Sequence, residues 1–273
     1  MATKAVATKE DAQTGVAVFD ASMFENDAGA GNDNVGQDDL ALPFLKIISG
    51  LDTLLDEMEE LRKGDIFNTV TSDIYKGKEG VRVIPCAYQR RFIEWAPRGQ
   101  GSGAPVNIFT PEDNRPRTER SKEDNREYVV GGNGTYIEDT QQHFVMVVND
   151  DGSAQPALIA MKSTQLKKGR KWNSIIQGRT AIGKNGPFQM PRYSNIYRLK
   201  SLAEENSKGS WHGWDVSLEG PIQDAALYMQ AKVFAESISR GDVEVKHQQE
   251  QDSSNDRPSY GGGDHGNDKD IPF

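Results

Sequence analysis

Three short stretches of this chain interleave cations with aromatic rings. The first is Tyr88, Arg90, Arg91, Phe92 and Trp95, followed by Arg98. The second is Lys167, Lys168, Arg170, Lys171 and Trp172, and the third is Phe188, Arg192, Tyr193, Tyr197, Arg198 and Lys200. A single-stranded nucleic acid presents a phosphate and an unstacked base in turn, so a surface that holds it without reading sequence alternates cations with aromatic faces. In an extended strand residues two apart share a face. Tyr88, Arg90 and Phe92 then lie on one side, with Arg91 and Ile93 on the other. By the same rule Tyr193 accompanies Tyr197, and Arg192 accompanies Arg198. Each ring also has a place available in a hydrophobic core, Trp172 and Phe92 above all, whereas several lysines and arginines do not bury unpaired.

Charge along the chain sharpens this reading. Gly152–Lys200 holds ten Lys or Arg, Arg179 and Lys184 among them, and no Asp or Glu. A carboxylate on such a surface would repel phosphate, so an acid-free run is what a polyanion ligand requires. The net charge of -9 conceals the segregation: residues 82–200 carry +8, residues 1–40 carry -6 and residues 241–273 carry -5. Competing chemistries find less support. His143, His212, His247 and His265 are scattered singly, whereas metal-assisted hydrolysis needs clustered ligands. Cys86 lacks a histidine partner, and its strand setting suits a buried thiol. Gly99, Gly101 and Gly103 have the wrong spacing for a dinucleotide loop. The expectation is a binding protein, with no catalytic residues, no metal and no cofactor.

The elements that must position these residues are mostly short strands. GDIFNTVTSDIY and GVRVIPCAYQRRFIEW are β-branched and aromatic runs, while HFVMVVND and GSAQPALIAMK read as a hairpin across Asp-Asp-Gly. SNIYRLK and WHGWDVSLEG add two more strands. Residues 42–62 predict an amphipathic helix, or a turn followed by one. Residues 163–179 predict a second helix with Leu166, Trp172, Ile175 and Ile176 buried, and Gly169 weakens it. Residues 221–240 predict a third, with Pro221 in its first turn and Gly241 just past its end. The polar loop 97–127 is either a cover that closes over a bound strand or a variable surface loop. The fold class expected is mixed, β-rich α+β: an OB-like, partly open β-barrel with flanking helices and disordered acidic termini. The domains expected are an acidic N-terminal arm (1–40), an OB-like core (41–240), and a linker with a tail (241–273). One cysteine, no apolar run near the roughly 18 residues of a membrane span, and no secretory leader predict a cytoplasmic protein.

The chain ends Asp268-Lys269-Asp270-Ile271-Pro272-Phe273 after a glycine-rich segment. This resembles the C-terminal tip of bacterial single-stranded-DNA-binding proteins, and Lys269 departs from the family's acidic run. The resemblance implies a partner-binding tip at Asp268, Asp270, Ile271, Pro272 and Phe273 that recruits replication or repair proteins. A terminal Phe can fill an apolar pocket while its carboxylate pairs with an arginine. The layout LPFLKIISGLD, GDIFNTVTSDIY, VIPCAYQRRFIEWAPRG resembles proteins of tailed bacteriophages, some described as single-stranded-DNA-binding. The function expected is sequence-independent binding and protection of single-stranded DNA in (phage) replication, recombination or repair. The protein then resides in the host cytoplasm, and a homo-oligomer is compatible with this. Alternatives are a strand-annealing recombination protein and a virion structural or scaffolding protein.

Overall fold

In a computed structural model of the chain, the structure describes residues 27–36, 39–97, 99–206 and 209–247. Two units divide it, Met1–Leu40 and Ala41–Phe273. The described part of the first is mainly a run of turns, and the second carries the strands and helices. The acidic arm and tail expected to be disordered fall mostly outside the described residues.

The second unit is built on two long strands, β4 (Val81–Trp95) and β8 (Tyr136–Val148), with β-branched and aromatic residues along both. They pair antiparallel over nearly their full length, from Arg82 opposite Val148 to Trp95 opposite Tyr136. The register shifts between Pro85 and Ala87, and such a bulge bends and twists the strand. β9 (Ala154–Lys162) returns along β8 as the expected hairpin. β12 (Asn195–Asn206) and β13 (Gly209–Pro221) form a second hairpin, which joins the start of β4 with Tyr197 opposite Val83. At the far end, β5 (Asn107–Phe109) pairs with β4. There β7 (Glu127–Val129) pairs with β8, and β6 (Thr118–Arg120) pairs with β7.

A small antiparallel sheet curls this array toward closure. It comprises β1 (Leu45–Ile47), β2 (Ile66–Asn68) and β3 (Ile74–Tyr75). On one side Phe44 bridges Leu158 of β9, whose N–H donates to the Pro43 carbonyl at 2.8 Å. On the other, the N–H of Ser201 in β12 donates to the Gly77 carbonyl at 2.9 Å, just past β3. Gly77 must be glycine here, because a Cβ would stand 2.1 Å from the Gly64 carbonyl oxygen. The result is an OB-like, partly open barrel with flanking helices. Its interior packs Val83, Val145, Val147, Ile159, Met161, Tyr197, Leu199 and Trp214.

Helices cover what the strands leave open. A 3-10 turn at Ser163–Gln165 leads into α2 (Leu166–Gln177), which sends Trp172 and Ile176 into the barrel interior. α3 (Ala225–Arg240) packs Leu227, Ala231 and Ala235 on Ile84, Cys86, Met146 and Val148, the outer face of β4 and β8. It begins four residues later than expected. Pro221 ends β13, and the Asp224 side chain caps the helix by accepting from the N–H groups of Ala226 and Leu227, satisfying two otherwise unpaired donors. Gly241 closes it at φ 81, the left-handed position that favours glycine.

The largest departure is in residues 42–62. They yield β1 and only a short helix, α1 (Leu54–Glu57), because Leu45, Lys46 and Ile47 pair with β2. The helically spaced Leu54, Leu55, Met58 and Leu61 do pack together, against Ile48 and Phe67. No described helix is long and apolar enough to cross a membrane.

Candidate nucleic-acid interface

One or two residues of each interleaved stretch, Tyr88 of the first, Trp172 of the second, and Arg192 and Tyr197 of the third, meet where α2 packs on the barrel, around His143 of β8. His143 is fully buried, and its isolation in the sequence gave no reason to select it. Its ring stacks on Trp172 with centroids 4.6 Å apart and tilts against Tyr88 at 5.1 Å; Trp172 in turn meets Tyr197 edge-on at 6.0 Å. The Arg192 guanidinium lies 5.5 Å from the Tyr88 ring and sets Nη2 3.2 Å from His143 Nδ1. A guanidinium can only donate, so Nδ1 is the acceptor and the neutral ring carries its proton on Nε2. Burial, then the Arg192 charge, holds the His143 pKa well below the usual imidazole range. Arg192 Nη2 also donates to Asn173 Oδ1 at 2.8 Å.

This geometry removes several expected contacts from the binding surface. Trp172 and Tyr197 are core residues with no exposed surface, so neither can stack on a base in this conformation. Trp95 is buried with Ile93 and Tyr136. The Phe92 ring is buried too, because its face is taken: the Arg115 guanidinium lies 3.4 Å from its centroid and that of Arg90 4.9 Å. The loop 97–127 therefore covers an aromatic face of its own protein, and it contributes β5 and β6 to the sheet. Tyr193 departs as well. It stands in a 3-10 turn, Arg192–Ser194, which breaks the extended alternation and directs its ring to Tyr228 of α3, 5.4 Å away.

Some cations that are acid-free in sequence are not so in space, because sheet pairing imports carboxylates from other strands. Arg90 forms a two-pronged bond with Asp139 at 2.9 and 2.6 Å. Arg198 pairs with Glu219 at 2.6 Å, Glu219 also binding Arg82, and Lys168 pairs with Glu204. Lys200 stands opposite Asp215 in the β12–β13 register. Arg91 donates to Gln89 Oε1 and to the Arg90 carbonyl. Arg98 and the tip residues Asp268 to Phe273 lie outside the described residues.

A continuous basic surface remains. Lys167, Arg170 and Lys171 are exposed on α2 and make no ion pair among the described residues. Spaced three and four apart, such positions share one helix face, and Asn173, the Arg192 partner, lies three beyond Arg170. α2 runs on into a separate two-stranded hairpin, β10 (Thr180–Gly183) with β11 (Gly186–Gln189). The hairpin is tied to the helix by Gln189 Nε2 donating to the Gln177 carbonyl at 3.4 Å. Its turn carries exposed Lys184, and its strands expose Ile182 (87%) and Phe188 (48%). Phe188 is the exposed aromatic of this hairpin; Tyr88 is half-buried against His143 and Arg192, and Trp211 is half-buried beside Lys168 through their shared partner Glu204.

No curated protein and no solved structure matches the chain. A family comparison does match, over residues 10–244, to the Pam3 phage gp34-like protein. That span takes in every described strand and helix, from β1 through α3, and all the cations discussed above. The chain belongs to the Pam3 phage gp34-like protein family.

Proposed function

We propose that this protein binds single-stranded DNA without regard to sequence, coating and protecting it during phage replication, recombination or repair. The observation that carries the reading is the exposed row Lys167, Arg170 and Lys171 on α2, without an ion pair among the described residues, in an acid-free stretch that also holds the exposed Lys184. Unpaired surface cations cost little when free and release counterions when they meet phosphate. Phe188 and Tyr88 supply the faces on which bases stack. The C-terminal tip, Asp268 to Phe273, recruits partner enzymes to the coated strand, in keeping with its resemblance to bacterial single-strand-binding tips. The chain performs no catalysis in this reading and needs no cofactor.

The test is fluorescence anisotropy with labelled oligo-dT, because three of the four tryptophans, Trp95, Trp172 and Trp214, are buried, and their emission would mask any change at the half-buried Trp211. The wild-type chain binds oligo-dT in preference to duplex. The triple variant Lys167→Gln, Arg170→Gln, Lys171→Gln keeps its unfolding midpoint and loses about tenfold or more in affinity at low salt. No binding by the wild type, or equal binding by the variant, overturns the proposal.

A further inference from the structure

Arg192 is a cation folded into the molecule without a carboxylate. Arg82, Arg90 and Arg198 on the neighbouring strands each have one. The described partners of Arg192 are neutral: Asn173 Oδ1, His143 Nδ1 and the Tyr88 ring. The groups whose charge acts on it are Tyr88, Tyr197 and Cys86, with no Asp or Glu among them, and burial lowers its pKa to about 10, leaving it charged at neutral pH. Its Nε is buried with no hydrogen-bond partner. The hydroxyl of the fully buried Tyr197 and the Nε of Arg179 are also without partners. Tyr197 feels the charges of both Arg179 and Arg192.

Two arginines whose charges both act on Tyr197, each with an unused Nε donor and neither with a carboxylate partner among the described residues, form an incomplete ion cluster. Leaving a buried charge uncompensated costs several kcal/mol. Nη2 of Arg192 already donates to Asn173 and His143, which leaves Nε to hold a phosphate oxygen by a charge-assisted hydrogen bond. Tyr88, Asn173 and Arg192 are each only half-buried, so the cluster reaches the surface beside Arg170.

We propose that Arg192 and Arg179, with Asn173, Tyr88 and Tyr197, form a seat for one phosphate-type oxyanion at the α2-capped end of the barrel. The ion is a free phosphate or a phosphate of a bound strand. Only the second source rests on the DNA-binding reading.

The experiment measures the unfolding temperature of the full-length chain at constant ionic strength, with chloride replaced by inorganic phosphate. Near a hundredfold excess over the dissociation constant the wild type gains about 5–10 °C. Arg192→Gln loses the gain, and Arg192→Lys keeps part of it, because lysine retains the charge without the guanidinium. If Arg192→Gln does not fold, Arg179→Gln, at a half-exposed position, takes its place. No gain in phosphate over chloride at the same ionic strength, or a gain retained in the glutamine variants, overturns the seat.

A second arm titrates labelled oligo-dT, with and without a 5′-phosphate, into wild type and variant. Tighter binding of the phosphorylated oligonucleotide by the wild type alone assigns the seat to a strand terminus. Equal loss for both oligonucleotides in the variant assigns it to the backbone. Stabilisation by phosphate in a chain that binds no oligo-dT keeps the seat and removes the DNA reading. Oligo-dT binding that is identical in wild type and variant, with no effect of phosphate, does the reverse.

Discussion

A proton is costly to place on an imidazole that has no water and an arginine against it. His143 is in that position, and His247 is close to it. His247 sits with Nε2 2.6 Å from Gln142 Nε2, and burial first, then Lys162 and Arg91, lowers its pKa to about 4. In the unfolded chain both titrate near 6.5. Their contribution to stability is therefore complete above pH 6.5 and falls as the pH drops below it, because the unfolded state takes up protons that the folded state refuses. For His247 the loss continues until about pH 4. Carboxylates with lowered pKa, such as Asp124, lose their share only near and below pH 4, so the interval from 6.5 to 5 belongs to the histidines. The urea midpoint is expected to stay level from pH 7.5 to about 6.5 and to fall from there to pH 5, and His247→Gln is expected to flatten part of that fall. A midpoint level across the interval would refute the assignment.

At the scale of the element, α2 performs two tasks through opposite faces. One carries Trp172 and Ile176 into the core, and the other shows Lys167, Arg170 and Lys171 to solvent. Its close approach to β8 depends on Gly169, where a Cβ would stand 2.0 Å from Gln141 Oε1 and 3.1 Å from His143 Nε2. Glycine costs an exposed helix about 1 kcal/mol relative to alanine. Here steric overlap outweighs that preference, since overpacking costs about 1–3 kcal/mol. Gly169→Ala is expected to lower the stability measured by urea unfolding. A variant more stable than wild type would show that the helix stands off the sheet.

At the scale of the whole molecule, the acidic termini and the basic core set how binding responds to salt. For single strands the logarithm of affinity falls with that of salt concentration at about 0.7 per phosphate contacted. If Lys167, Arg170, Lys171 and Lys184 each meet a phosphate, the slope is about -3, and the α2 triple variant flattens it by about 2. Titrations of oligo-dT between low and moderate salt measure both slopes. An unchanged slope in the variant would place the phosphate contacts elsewhere. Deleting residues 268–273 is expected to leave affinity equal or higher, as those acids compete with DNA for the basic surface.

Local chemistry is readable without a fold, and much of this protein is local. The β8–β9 hairpin, the strands β12 and β13, the helix carrying Trp172 and the Gly241 stop follow from turn residues and periodicity. So does the acid-free run, which composition alone reveals. The pairing of β12 with β13 does not. Residues 42–62 follow the expected turn and helix only in short form: Leu45–Ile47 are taken into β1 by pairing with β2, and Leu54–Glu57 alone are helical, though Leu54, Leu55, Met58 and Leu61 still pack together. The site was legible only in part. Whether a ring is core or contact depends on what lies across the sheet, so Phe92 is covered by Arg115 and Tyr197 is sealed in the barrel. Whether a cation is free depends on which carboxylate a distant strand brings beside it, as Glu219 does for Arg198 and none does for Arg192. His143 and Asn173 acquire a role only through contacts made by residues far away in the chain. Helix periods, turns and charge runs are properties of neighbours in sequence; exposure and pairing are properties of neighbours in space, and only the folded chain supplies those.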